Sequence, residues 1–168
     1  EIEKCSQSQP AIGDIDGDGL LDIVVTVNGE DSPGQVEAYN PDTGNRKWSR
    51  AVSYKDLGYA SPVIADLDNN GSPEIAYSYG NGIEIVAGAT GELLYRLVTG
   101  GLTVATPAVG DIDGDGKLEL IFVGSKRLYV LTGFENHLGS QPSSQTPSKV
   151  YTGMFRFNPE RTGIYESD

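Results

Sequence analysis

Apolar and β-branched residues gather along this chain in short runs set between polar, Gly-containing segments. IVVTV from Ile23, IAYSY from Ile75 and LIFV from Leu120 read as strands. Just upstream of each polar segment stands a Pro followed by small and apolar residues, in QPAIG, SPVIA and TPAVG. Downstream of each run, a further pair of short strands follows. It lies within QVEAYNPDTGNRKWSRAV in the first unit and IEIVAGATGELLYRLV in the second, and the third unit opens the same way with RLYVLTG. PDTG and GATG read as hairpin turns closed by Gly. No apolar run reaches the length of a transmembrane helix, and no helical pattern flanks the polar segments.

Those polar segments are themselves a repeat. DIDGDGLLD starts at Asp14, DLDNNGSPE at Asp66 and DIDGDGKLE at Asp111, so successive copies are 52 and 45 residues apart. Four short strands in a unit of about 40–50 residues are the signature of a propeller blade. The expected fold is therefore all-β, with three blades of four antiparallel strands in a partial or open propeller. The chain divides into an N-terminal arm at 1–9 and blades at 10–59, 60–105 and 106–150. A tail at 151–168 completes or caps the last blade, and the Ser/Pro/Gln-rich stretch 139–149 reads as a flexible loop, a candidate for O-glycosylation in a secreted protein. Closed propellers have about four to eight blades. Three blades leave three arrangements open: a piece of a larger protein, two copies closing a six-bladed ring, or an open stack docked on another chain.

Each nine-residue loop carries side-chain oxygens at positions one, three, five and nine and Gly at position six. Alternate residues of a tight loop can turn their carboxylates toward one point, which suits Ca²⁺ and its six to eight oxygen ligands. Position seven can add a backbone carbonyl. The candidate ligands are Asp14, Asp16, Asp18, the carbonyl of Leu20 and Asp22 in the first loop. In the second they are Asp66, Asp68, Asn70, the carbonyl of Ser72 and Glu74, and in the third Asp111, Asp113, Asp115, the carbonyl of Lys117 and Glu119. Up to three Ca²⁺ are expected. An EF-hand loop would place a further acid at position twelve, where this chain has Val25, Tyr77 and Phe122. The formal sequon Asn70-Gly71-Ser72 falls inside a loop and is expected to be unoccupied.

Charge supports a bound cation. The loop carboxylates number four, three and four, eleven negative charges against a net −12 for the whole chain. Gathering them without a counter-ion is unfavourable. Mg²⁺ suits the loops less well, because it prefers rigid octahedral sites and keeps its water.

With these loops set between an apolar strand and a β-rich strand, and repeated, residues 10–135 resemble the FG-GAP repeat proteins. That family includes the integrin α-subunit propeller and many bacterial and archaeal surface proteins. The resemblance implies a β-propeller with Ca²⁺ in the loop between the first two strands of a blade, at the positions already given. Asn70 departs from the usual Asp and lowers the charge of the middle loop, and with it the expected affinity. Glu74 and Glu119 replace the usual final Asp and add one methylene of reach. The segment MFRFNPERTGIY from Met154 is similar to a tail found beside propeller repeats in bacterial secreted proteins.

The remaining chemistry is sparse. The single Cys, Cys5, cannot form an internal disulfide and points to an intermolecular bridge or an idle thiol. The acidic balance argues against nucleic acid, which requires basic patches. The pair Lys126-Arg127 sits at a strand start and reads as a solvated edge. His137 is the only His, which disfavours His-based triads and multi-His metal sites. Tyr77 and Tyr79 share one strand face and Trp48 lies in the last strand of the first blade, so all three read as packing residues. A quinone cofactor would need the axis of a full ring. The expected function is a non-enzymatic, calcium-binding structural or adhesive module, extracellular or at the cell surface. Its expected partners are a protein or further copies of itself at open blade edges, through Cys5 in one version, with a glycan as a further candidate and no membrane span in this chain. Two alternatives are a building block of a surface filament or pilus-like appendage, and a fragment of a calcium-dependent polysaccharide lyase.

Overall fold

The computed structural model describes residues 8–28, 33–52, 60–134, 138 and 149–151. Cys5, His137 and the tail segment from Met154 lie outside the described residues. Among the described residues, twelve strands form three four-stranded antiparallel sheets, each ordered as the chain runs. The first holds β1 (Ala11–Gly13), β2 (Asp22–Val27), β3 (Gln35–Tyr39) and β4 (Arg46–Ala51). The second holds β5 (Val63–Ala65), β6 (Glu74–Tyr79), β7 (Gly82–Ala87) and β8 (Leu93–Val98). The third holds β9 (Ala108–Gly110), β10 (Glu119–Gly124), β11 (Arg127–Leu131) and β12 (Lys149–Tyr151). The fold is all-β, built of propeller-type blades. Lys149, the last residue of the stretch read as a loop, opens β12.

The three sheets repeat in register as well as in strand order. The last acid of each loop opens the second strand and faces the end of the first: Gly13↔Asp22, Ala65↔Glu74 and Gly110↔Glu119. Three residues further on, the pairs are Val25↔Glu37, Tyr77↔Glu84 and Phe122↔Tyr129. The PDTG and GATG turns close as expected, with Gly44 N–H donating to the Asn40 carbonyl and Gly91 N–H to the Ala87 carbonyl.

Hydrophobic burial joins the blades. Val24, Val36 and Ala38 of the first sheet pack with Ile75, Tyr77, Tyr79 and Val86 of the second, with Trp48 beside them. Trp48 Nε1 donates to the Gly88 carbonyl at 2.8 Å. Gly91 lies beneath the Trp48 ring, where a Cβ would meet Cε3 at 2.6 Å, so no larger residue fits. The other side of the second sheet contributes Ala76, Ile83 and Ile85 to a cluster with Leu120, Phe122, Tyr129 and Leu131 of the third. Polar bonds repeat from blade to blade. Thr26 Oγ1 donates to the Ala60 carbonyl, and its register equivalent Ser78 donates through Oγ to the Ala105 carbonyl. Gln9 N–H donates to Ser61 Oγ, and Ser61 N–H to Thr106 Oγ1.

One buried charge ties the first two blades together. Glu84 on β7 is fully buried. Its Oε1 accepts from Arg96 Nε at 2.7 Å, and its Oε2 accepts from Arg50 Nε at 3.3 Å and from Tyr77 O–H at 2.5 Å. Arg96 belongs to the same sheet, and Arg50 comes from β4 of the first blade. Burial, together with the Glu84 charge, drives the Tyr77 hydroxyl well above its ordinary pKa, so it stays a donor. In the third sheet the same register position holds no charge; Phe122 and Tyr129 stack there with ring centroids 4.9 Å apart.

Removing one member of a buried ionic network leaves the others uncompensated, at a cost of about 3 kcal/mol. Glu84→Ala is expected to lower the folding stability by about that much, read as an earlier urea midpoint at unchanged slope. A midpoint shift no larger than that of a surface Glu→Ala control would show that the network contributes little.

Candidate metal centres

Each acidic loop joins the first two strands of its sheet, and the sheet itself positions the ninth residue. Asp22, Glu74 and Glu119 are strand residues exposed by no more than 3%. The loop then folds back over them, and its first acid organises the turn. Asp14 Oδ1 accepts from Gly17 N–H at 2.7 Å and Oδ2 from Gly19 N–H at 2.9 Å. Asp111 does the same with Gly114 and Gly116, at 2.7 and 2.9 Å. Asp66 accepts from Asn70 N–H at 3.0 Å and Gly71 N–H at 2.9 Å. Gly19 N–H lowers the pKa of Asp14, and Gly116 N–H does the same for Asp111, each against an opposing contribution from burial and with the help of further loop N–H groups.

This path demands left-handed backbone at two positions. Position six is Gly in all three loops, with φ of 82°, 87° and 82° at Gly19, Gly71 and Gly116. Position four has φ of 77° at Gly17 and Gly114, and the second loop meets the same demand with Asn69 at 59°. Asn is among the few residues with a side chain that tolerate this region.

The structure brings most of the expected ligands together. Carboxylate oxygens of Asp14, Asp16 and Asp18 lie within 4.8 Å of one another, as do those of Asp66, Asp68 and Glu74, and those of Asp111, Asp113 and Asp115. Asp22 and Glu119 stand outside these groups. Asn70 Oδ1 accepts from Ser72 N–H at 2.7 Å, the counterpart of Asp18 with Leu20 and of Asp115 with Lys117. The residues expected to lend carbonyls are thus held in place through their N–H groups.

The ninth residue separates the loops. Glu74 Oε2 accepts from Leu67 N–H and Glu119 Oε2 from Ile112 N–H, both at 2.9 Å. In the first loop Asp22 is one methylene shorter, and its buried Oδ1 finds no hydrogen-bond partner among the described residues. Its Oδ2 accepts from Lys47 Nζ at 2.7 Å. The same ammonium donates to Asp16 Oδ2 at 2.8 Å and lies 3.9 Å from Asp18 Oδ2. Burial works against the Lys47 charge, but the hydrogen bonds and charges of Asp16 and Asp22 outweigh it and hold the pKa well above the ordinary lysine value. Lys47 was not among the residues that the sequence marked. Its distance from the loop in sequence and its ordinary setting in RKWSRA give no signal.

These donor sets fit a hard cation. They are all oxygen, mostly anionic, and gathered within a few ångströms. In the first loop a cation already stands among them, the Lys47 ammonium, beside an orphaned carboxylate oxygen. The three Asp/Glu groups could each hold a metal ion.

Burial raises the Glu74 pKa to about 7; the Leu67 N–H opposes the shift, and the Asp68 and Asp66 charges add to it. Burial also raises that of Glu119, opposed by the Ile112 N–H and helped by Asp113, Asp115 and Asp111. A carboxyl whose folded pKa exceeds its unfolded one favours the folded state when protonated. In the metal-free protein the Glu74 contribution to stability therefore falls as the pH rises from 4.5 to about 7. A cation entering the second loop at pH 6 is expected to release most of one proton from Glu74. Calorimetry in two buffers of different ionisation enthalpy reads that proton, and Glu74→Gln should abolish it. Equal heats in both buffers would mean that Glu74 is already ionised.

Comparison with known proteins agrees with this architecture. Residues 10–77, spanning the first blade and the first loop and strand pair of the second, match the family model described as FG-GAP-like repeat. No curated protein matches the chain. Among solved structures, the crystal structure of the biofilm matrix protein Bap1 of V. cholerae is similar, with a TM-score of 0.50 and 23% identity. The match covers 62% of this chain and 16% of that one, so the chain spans about a sixth of that protein's length.

Proposed function

We propose that this chain, which carries an FG-GAP-like repeat, is a calcium-binding structural module of an extracellular protein, with an adhesive role and no catalysis of its own. The observation that carries this reading is the recurrence of one oxygen-only loop at the same register position of three sheets. Asp14, Asp16, Asp18 and Asp22 would hold the ion of the first loop. Asp66, Asp68, Asn70 and Glu74 would serve the second, and Asp111, Asp113, Asp115 and Glu119 the third, with the carbonyls of Leu20, Ser72 and Lys117 completing the sets. Bound Ca²⁺ would neutralise the loop carboxylates and fasten the first strand of each blade to its second.

Several features support a structural role. Among the described residues the clustered acids belong to the loops, and Tyr77 and Tyr79 are buried between blades as packing residues. Extracellular Ca²⁺ modules bind at about 10⁻⁴–10⁻³ M, so loops held half in place by their own N–H groups suit that compartment. No helix among the described residues is long and apolar enough to cross a membrane. The similarity to a biofilm matrix protein is in keeping with a module that contributes to an extracellular assembly.

Ligand that binds only the folded state stabilises by mass action. At a hundredfold excess over Kd, one site is worth about 2.7 kcal/mol, which for a domain of this size is roughly 5–10 °C in melting temperature. Addition of Ca²⁺ to chelated protein at that excess, about 10 mM for a Kd of about 10⁻⁴ M, is expected to raise the melt by at least one such step. Asp111→Asn combined with Asp113→Asn should remove the share of the third loop. A melt indifferent to Ca²⁺ and to chelator would dispose of the calcium reading.

A further inference from the structure

The three loops are not electrostatically alike, and the difference comes from a strand irregularity. The register of β3 against β4 shifts between Ala38 and Tyr39, with Ala38 opposite Trp48 and Tyr39 opposite Arg46. Lys47 is the extra residue at that bulge. Bulges bend a strand and re-aim the side chain they carry. From here Lys47 reaches Asp22, Asp16 and Asp18, three of the four carboxylates of the first loop. The second sheet has the same irregularity, with Ile85 opposite Tyr95 and Val86 opposite Leu93. Its extra residue is Leu94, which cannot supply a charge. Among the described residues no Lys or Arg is ion-paired with Asp66, Asp68 or Glu74 of the second loop, or with Asp111, Asp113, Asp115 or Glu119 of the third.

We infer that Lys47 is a tethered counter-ion of the first loop, competing with Ca²⁺ for Asp16, Asp18 and Asp22 and making that loop the last of the three to fill. The inference rests on the calcium reading proposed for the loops. A carboxylate oxygen can accept a hydrogen bond and bind a metal at once, but an ammonium seated among three of the loop's four acids repels a divalent cation bound to the same acids. Ca²⁺ entry is therefore opposed until the ammonium withdraws, and the apparent affinity is reduced to the fraction of time the loop is free of it. Hydrogen bonds from a charged donor to a fully buried carboxylate are among the stronger ones, so the reduction is about tenfold or more. Formal charge alone predicts the opposite order. The first loop has four carboxylates and the second three, with Asn70 in place of an acid.

The same contact gives Lys47 a second effect. Without Ca²⁺ it neutralises part of the first loop and keeps Asp22 paired at one oxygen. The first blade then holds together at low Ca²⁺, and the metal consolidates it only at higher concentrations. The module responds to Ca²⁺ over a broader range than three identical loops would.

Lys47→Leu, which copies Leu94, tests this by calorimetric Ca²⁺ titration and by melting in chelator. The variant is expected to tighten the weakest site about tenfold and to melt earlier than the wild type in chelator. Adding Asp16→Asn to it should remove the tightened site and leave the others. Unchanged affinities in a variant that still binds Ca²⁺ would overturn the inference and leave the calcium reading standing. No Ca²⁺ binding by either protein would overturn both. If Lys47→Leu fails to fold, the wild-type lysine ammonium resonances answer the question. One protected signal should be lost as the weakest site saturates, and a protected signal unmoved at full saturation would overturn the inference.

Discussion

One carboxylate in each blade belongs to two structures at once. Asp22, Glu74 and Glu119 are the first residues of their strands, paired across the sheet and buried, and they are also the last acids of their loops. The sheet withdraws them from water, so each needs compensation from groups the sheet does not supply. The loop must therefore curl back over its own end. The glycines and Asn69 at left-handed positions permit that curl, and the first-position Asp braces it by accepting two or three N–H groups. The gathering of like charge at each site is the consequence of this geometry.

Each blade meets the shared constraint with different chemistry. Glu74 and Glu119 are long enough to accept a backbone N–H at the start of the loop, and burial together with the neighbouring acids raises their pKa. Asp22 is too short for that contact and takes the ammonium of Lys47. A difference of one methylene thus selects between a proton-linked loop and a lysine-linked loop on an otherwise identical frame.

Variation between the blades follows the same logic. Position Tyr77↔Glu84 in the second sheet is a buried charge held by arginines from two blades, whereas Phe122↔Tyr129 in the third is an aromatic stack. Both fill the same gap between neighbouring sheets. An ionic filling demands a particular partner and so fixes which blade can lie beside it. An apolar one demands only shape. The bond of Thr26 to Ala60, repeated by Ser78 to Ala105, adds a second element of order along the array.

The chain by itself determined what depends on near neighbours. The three units, the order of four strands in each, the closing glycines of the turns and the gathering of acids in each loop were legible, because each rests on residues a few positions apart or on adjacent strands. Trp48, Tyr77 and Tyr79 were legible as packing residues for the same reason. The partners that cross between elements were decided only by tertiary structure. Lys47 is 31 residues from Asp16, and Arg50 is 34 from Glu84. A bulge in β4 brings the first pair together, and the packing of one sheet on the next brings the second. Neither leaves a local pattern, because a bulge shifts the register by a single residue and sheet packing is set by the summed fit of many side chains. The physical reason is one of range: turn and strand preferences act over a few bonds, while the placement of a charge against another blade depends on how whole sheets settle together.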